Sequence, residues 1–159
     1  MFVDLKINKD TIRVYNVHLQ SINFDKTDYK FVDDLMNNKE TEELDKSKNI
    51  LKRLKRAYIK RAQQAEMVAK HIANSPHPVI LCGDFNDTPS SYAYHTISSG
   101  LNDAFIEKGR GLGRTYIGKF PSFRIDFILH SDAFKALQYY TIEEKLSDHY
   151  PICCYFEKR

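Results

Sequence analysis

Four short motifs put acidic, amide or imidazole side chains where an apolar run gives way to polar residues. They are His18 in NVHLQS, Asp84 and Asn86 in GDFN, Asp126 in RID, and Asp148 with His149 in SDH. Loops held by a rigid sheet are where catalytic groups concentrate. The chemistry of each type is specific. Carboxylates bind hard cations such as Mg2+, which keeps several waters and needs only one or two protein carboxylates. An asparagine amide donates to a developing oxyanion without adding negative charge. A histidine beside a carboxylate keeps a fixed tautomer and exchanges a proton near neutral pH. A divalent cation, a water-orienting carboxylate and transition-state donors are together the parts for hydrolysing a phosphoester. Each motif alone also has a plainer reading. GD is a common turn, Asp-Asn an Asx-turn, SDH a solvated turn, RID a strand with a structural Arg–Asp pair, and His18 a satisfied hydrogen bonder. All four in this order, each at a strand end, favour the chemical reading.

The elements that must position these groups follow from the apolar pattern. Phe2, Val3, Leu5 and Ile7, then Ile12, Val14, Tyr15 and Val17, flank the turn-prone Asn8-Lys9-Asp10 and predict a hairpin. Residues 21 to 49 form a polar excursion, with a short helix expected from Phe31, Val32, Leu35 and Met36. From about Glu42 to Asn74 a helix is expected, with Leu51, Leu54, Tyr58, Ala62, Ala65, Ala69 and Ile72 at three- and four-residue spacing. Pro76 ends it. Its first half carries Lys46, Lys48, Lys52, Arg53, Lys55, Arg56, Lys60 and Arg61, a solvated face or a surface for phosphates or a membrane. Arg61 lies near the apolar stripe.

Val79 to Cys82 reads as a buried strand, stopping at GDFND. Thr88, Pro89 and Ser90 open a helix through Ile97, closed by Ser99-Gly100. The segment from Leu101 to Ser122 reads as a glycine-containing loop with one short strand at Thr115-Tyr116-Ile117. RIDFILH reads as a strand with a carboxylate near its start, LSDHYP as a turn and ICCYF as a closing strand.

A chain of 159 residues, 42% hydrophobic and 28% charged, reads as one domain, residues 1–159. That composition excludes a disordered tail, a collagen-like chain and a disulfide-rich mini-protein. No apolar run reaches ~18 residues, so no membrane span is expected. The first ten residues lack the apolar core of a signal peptide. Net charge +3 suits a phosphate-bearing partner without requiring one. Cys82, Cys153 and Cys154 read as small buried hydrophobes.

NVHLQS, RAQQAEMVA, PVILCGDFNDTPSS, FRIDFILHS and LSDHYPI, in that order, resemble the C-terminal half of the endonuclease/exonuclease/phosphatase superfamily. The resemblance runs from about residue 2 to 156. It implies an α/β fold: half of the DNase I-like four-layer α/β sandwich, a mixed, mostly antiparallel sheet with helices on one face. It implies that Asp84 orients or deprotonates the attacking water and Asn86 stabilises the pentacovalent phosphorus. Asp148, with Asp84, would hold Mg2+ or Mn2+; His149, held by Asp126, would act on the phosphate; His18 would contact it. Arg61 would bind substrate, with Gln64 on the same helix. Arg114, Thr115 and Tyr116 lie in a loop that could face substrate.

Superfamily members also have a first half supplying an Asn and a Glu, and nothing here matches it. Glu40, Glu42 and Glu43 read as a solvated helix start. The chain is thus expected to be the C-terminal half alone, with an incomplete metal site and weak or no activity by itself. Its inner sheet face would be apolar and exposed, so two copies are expected to pair sheet to sheet. The expected function is a divalent-metal-dependent phosphoester hydrolase module using metal-activated water. Its substrate would be a nucleic acid or a phosphorylated lipid or small molecule. The rival reading is a non-catalytic binding or assembly half-domain; a basic membrane-surface helix is a third.

Overall fold

A computed structural model of the chain describes residues 1–22, 24, 27, 28, 30, 31, 44–118 and 123–159. The helix expected around Phe31–Met36 falls mostly outside the described residues, as do Glu40, Glu42 and Glu43.

Strands β1 (Phe2–Ile7) and β2 (Asp10–His18) pair antiparallel, as their alternating β-rich pattern requires. Asn8 turns the chain with φ 57°, a conformation that asparagine tolerates. Helix α1 (Leu44–Ala73) then crosses over and returns the chain to β3 (Val79–Asp84), which pairs parallel to β2. Such a return needs a long connection, and the helix supplies it. Beyond β3 lie β5 (Asp126–His130) and the two-residue β4 (Asn102–Asp103), both antiparallel to their neighbours. The sheet order is β1-β2-β3-β5-β4, mixed and mostly antiparallel. A second sheet is the hairpin of β6 (Phe134–Thr141) and β7 (Ile152–Lys158).

The period-two alternation of the central strands separates two faces. One carries Tyr15, Val17, Leu81, Phe127 and Leu129, and packs against Ala65, Val68 and Ile72 of α1 and Ala93, Tyr94 and Ile97 of α2 (Tyr92–Ser98). The other carries Ile80, Cys82 and Ile128, and packs against Ala136, Tyr139, Cys154 and Phe156 of the β6–β7 hairpin. Helices α1 and α2 therefore share one face. The single-turn α3 (Ala104–Lys108) joins the other cluster through Ala104.

Three expectations need correction. Helix α2 starts at Tyr92 and is capped by Ser91, whose Oγ accepts from the Tyr94 amide; Thr88 and Pro89 precede it. The described part of the Leu101–Ser122 segment is more than a loop: it contains β4 and α3, the latter capped by the Asp103 carboxylate. Thr115–Ile117 is no full strand but a single bridge, Tyr116 to His149. A buried ion pair holds this region together. Arg124 donates to Asp103 at 2.7 Å, Tyr94 Oη donates to the same oxygen at 2.8 Å, and the guanidinium lies over Phe105 and Phe127. The three thiols are free. Burial raises Cys82 and pushes Cys154 up to about 12, so both stay protonated at neutral pH.

Candidate functional site

Strand β3 lies between β2 and β5, and its last residue, Asp84, is in register with His18 on one side and Asp126 on the other. Laterally paired residues project from the same face, so three strands deliver their terminal side chains to one spot. Gly83 makes this approach possible. A Cβ there would lie 2.0 Å from the Val17 carbonyl oxygen. Phe85, fully buried against Phe127 at 4.7 Å between ring centroids, anchors the chain just beyond Asp84.

Asn86 turns back over Asp84 with φ 52°. Its backbone N–H donates to Asp84 Oδ1 at 2.7 Å and its side-chain amide to Oδ2 at 2.9 Å. The amide also donates to the Leu19 carbonyl at 3.0 Å, tying the β3 exit to the β2 exit. Both amide protons are thus engaged with this chain. His18 Nε2 stands 3.5 Å from Asp84 Oδ2, with its ring largely open to solvent. Burial raises Asp84 above the ordinary carboxylate value; the charge on Asp126 adds to this and the Asn86 amide opposes it.

His149 arrives from the turn before β7. Its Nδ1 lies 2.8 Å from Asp126 Oδ2, so the carboxylate accepts from Nδ1–H and Nε2 is left for a reacting group. Burial lowers the imidazole, but the Asp126 hydrogen bond and the charges of Asp126, Asp84 and Asp148 outweigh it, and the net shift is upward. Tyr116 packs its ring edge-on to His149 at 5.3 Å between centroids. Thr115, fully buried, accepts the Ile125 and Asp126 amides on Oγ1 at 3.1 and 3.2 Å, and its carbonyl accepts from Tyr150 at 2.7 Å. One hydroxyl therefore fixes the start of β5 while the same residue's backbone fixes the histidine turn.

Of the residues singled out from sequence, Asp84, Asn86, Asp126, His149 and His18 come together. Ligand atoms of Asp84, Asp126 and His149 all lie within 4.8 Å of one another. Asp148 is exposed and is not part of that trio; its carbonyl accepts from Ile117 at 2.8 Å. Arg114 is exposed on the loop beside Thr115. Arg61, only 1% exposed, faces inward. Its Nε sits 3.0 Å from an Asp87 carboxylate oxygen, and Nη1 donates to the Gln20 carbonyl at 3.0 Å. Gln64 accepts from the Gln20 amide at 2.8 Å. The helix pair thus holds the β2 and β3 exit loops to each other. The sequence alone assigns no role to Asp87 or Gln20; Gln20 lies within NVHLQS and Asp87 directly follows GDFN, which is the available signal.

The profile of the Endonuclease/Exonuclease/phosphatase family matches residues 49–149. No curated protein matches the chain. Among solved structures, an endonuclease/exonuclease/phosphatase from Bacteroides vulgatus is 27% identical (TM-score 0.56), covering 65% of this chain and 46% of its own. The Bacteroides thetaiotaomicron mannosyl-6-phosphatase is 19% identical (TM-score 0.60), covering 94% of this chain and 52% of its own. D. rerio TDP2 complexed with single-strand DNA product is 16% identical (TM-score 0.63), covering 99% and 60%. This chain spans about half the length of the solved structures it matches.

Proposed function

Because the chain belongs to the endonuclease/exonuclease/phosphatase family, we propose that it is a divalent-metal-dependent phosphoester hydrolase module with its chemistry at the Asp84–Asp126–His149 cluster. The observation that carries this reading is the in-register delivery of His18, Asp84 and Asp126 by three adjacent strands, with His149 hydrogen-bonded to Asp126. The carboxylates of Asp84 and Asp126, with ligand atoms within 4.8 Å of each other, fit a hard divalent cation of the Mg2+ or Mn2+ kind. Asp84 and Asp126 would hold it, with Asp148 on the adjoining turn as a further carboxylate. When bound, such a cation polarises a phosphoryl oxygen and lowers the pKa of water.

The remaining work falls to the chain's own side chains. Asp84 orients the attacking water and accepts its proton, helped by the upward shift that burial gives it. Asn86 holds Asp84 through both carboxylate oxygens; donation to a phosphoryl oxygen requires its amide to leave the Leu19 carbonyl. His149 presents Nε2 to the phosphate, and its raised pKa favours the charged form that attracts an anion. His18, exposed beside Asp84, contacts the same phosphate. Arg61 acts by holding the Asp87 and Gln20 loops, and Arg114 is the exposed cation on the substrate side.

Paramagnetic broadening by Mn2+ tests the reading without requiring turnover. Broadening of His149 and Asn86 resonances is expected in the wild type and is lost in Asp84→Asn. Broadening spread evenly over surface carboxylates would contradict the reading.

The sheet-to-sheet pairing of two copies has one specific support. On β1, Val3, Leu5 and Ile7 are each about half exposed, and they alternate on the sheet face opposite α1. A second copy of this chain laid on that face would cover them and make the working module a homodimer.

A further inference from the structure

A cavity of about 400 Å3 opens where β2 leaves the sheet, between Gln20 and Ser21 on one wall and Arg53, Arg56 and Lys60 of α1 on the other. Gln20 is two residues past His18, so the cavity lies within about 7 Å of backbone from the proposed site. Two of the helix's arginines are already engaged: Arg53 donates to Asp28 at 2.7 Å and Arg61 pairs with Asp87. Arg56 and Lys60 are exposed and have no ion-pair partner among the described residues.

Their spacing is unfavourable by itself. Lys52, Arg56 and Lys60 stand at successive four-residue steps, which makes them neighbours on one helix face, and like charges so placed repel. Relief from within the helix is absent, because α1 has no Asp or Glu between Ser47 and Gln64. The next step of the row is Gln64, which accepts from the Gln20 amide. The row therefore runs about 12 Å along α1 and ends at the loop that follows His18. A compact anion would meet one end of such a row, whereas an extended polyanion meets all of it.

We infer that the Lys52–Arg56–Lys60 row and the cavity it borders form a track for the phosphodiester backbone of a nucleic-acid strand leading to the catalytic cluster. The inference rests on the hydrolase reading and names its substrate class. A strand bound along such a row releases condensed counterions, so its affinity falls steeply with salt.

The test is fluorescence anisotropy with a labelled 12-nucleotide oligothymidylate, in EDTA so that nothing is cleaved. The Arg56→Gln/Lys60→Gln double variant is expected to bind at least tenfold more weakly. Its slope of log affinity against log salt should be shallower by about 1.4. A control with equal charge loss on distant exposed positions, Lys70→Gln/Lys135→Gln, should stay within twofold of wild type. Equal losses in both variants would reduce the effect to net charge and overturn the track. Displacement of the strand by inositol hexakisphosphate at matched phosphate concentration would overturn it in favour of a compact polyphosphate. Mn2+ broadening at His149 and Asn86 is followed in parallel on metal-free protein. If that fails while the double variant still loses strand binding, the hydrolase reading falls and the nucleic-acid track stands.

Discussion

The Asp126–His149 contact leaves Nε2 as the open imidazole nitrogen, so it is the most informative pair in the proposed site. In metal-free protein, NMR should find His149 titrating above the ordinary value of 6.5, and Asp126→Asn should bring it down. An unshifted histidine, or one indifferent to Asp126→Asn, would contradict the geometry. The sign for stability follows from the upward shift. The contribution of His149 is full below pH 6.5 and disappears as pH rises through the folded-state value. His18, Asp84 and Asp126 were legible in sequence because a strand end fixes where a side chain points, and NVHL, GDFN and RID each lie at one end of a strand. Asp148 was less legible. It sits in a turn, where side-chain direction follows from local hydrogen bonds that spacing does not encode. Arg61 was half legible: its place beside the apolar stripe indicated burial, while its partner Asp87 lies 26 positions away in sequence and emerges only from the fold.

Elements position these residues through a few tight contacts. Gly83→Ala would drive a Cβ into the Val17 carbonyl and prise β2 from β3. A loss of at least about 1–3 kcal/mol is expected in urea unfolding; a neutral result would mean the strands are not this close. Thr115→Val would strip the Ile125 and Asp126 amides of their acceptor, at about 1–3 kcal/mol, whereas Thr115→Ser keeps it. If both variants unfold alike, the hydroxyl is not what holds β5. Arg61→Met would leave Asp87 without its cation in a largely dry site and should cost about 3–5 kcal/mol. The elements that sequence missed have physical reasons. In β6 a register shift between Ala136 and Gln138 breaks the alternation that would have flagged a strand. Helix α3 spans five residues, too few for a helical period to emerge.

At the scale of the whole molecule, the chain covers about half of each solved relative, and β1 presents Val3, Leu5 and Ile7 on an exposed face. Light scattering should return twice the chain mass at micromolar concentration, and Leu5→Lys should return it to the chain mass. A clean monomer in the wild type would end the paired-sheet reading. The basic row along α1 belongs to this scale as well, since only the fold reveals that its next step, Gln64, holds the loop after His18. The central claim is that the Asp84–Asp126–His149 cluster carries metal-dependent phosphoester chemistry. The most direct test is Mg2+- and Mn2+-dependent hydrolysis of bis-p-nitrophenyl phosphate by wild type, Asp84→Ala and His149→Ala. The account predicts weak turnover that needs the cation and is abolished in both variants. Turnover that persists in either variant, or that ignores the cation, would contradict it.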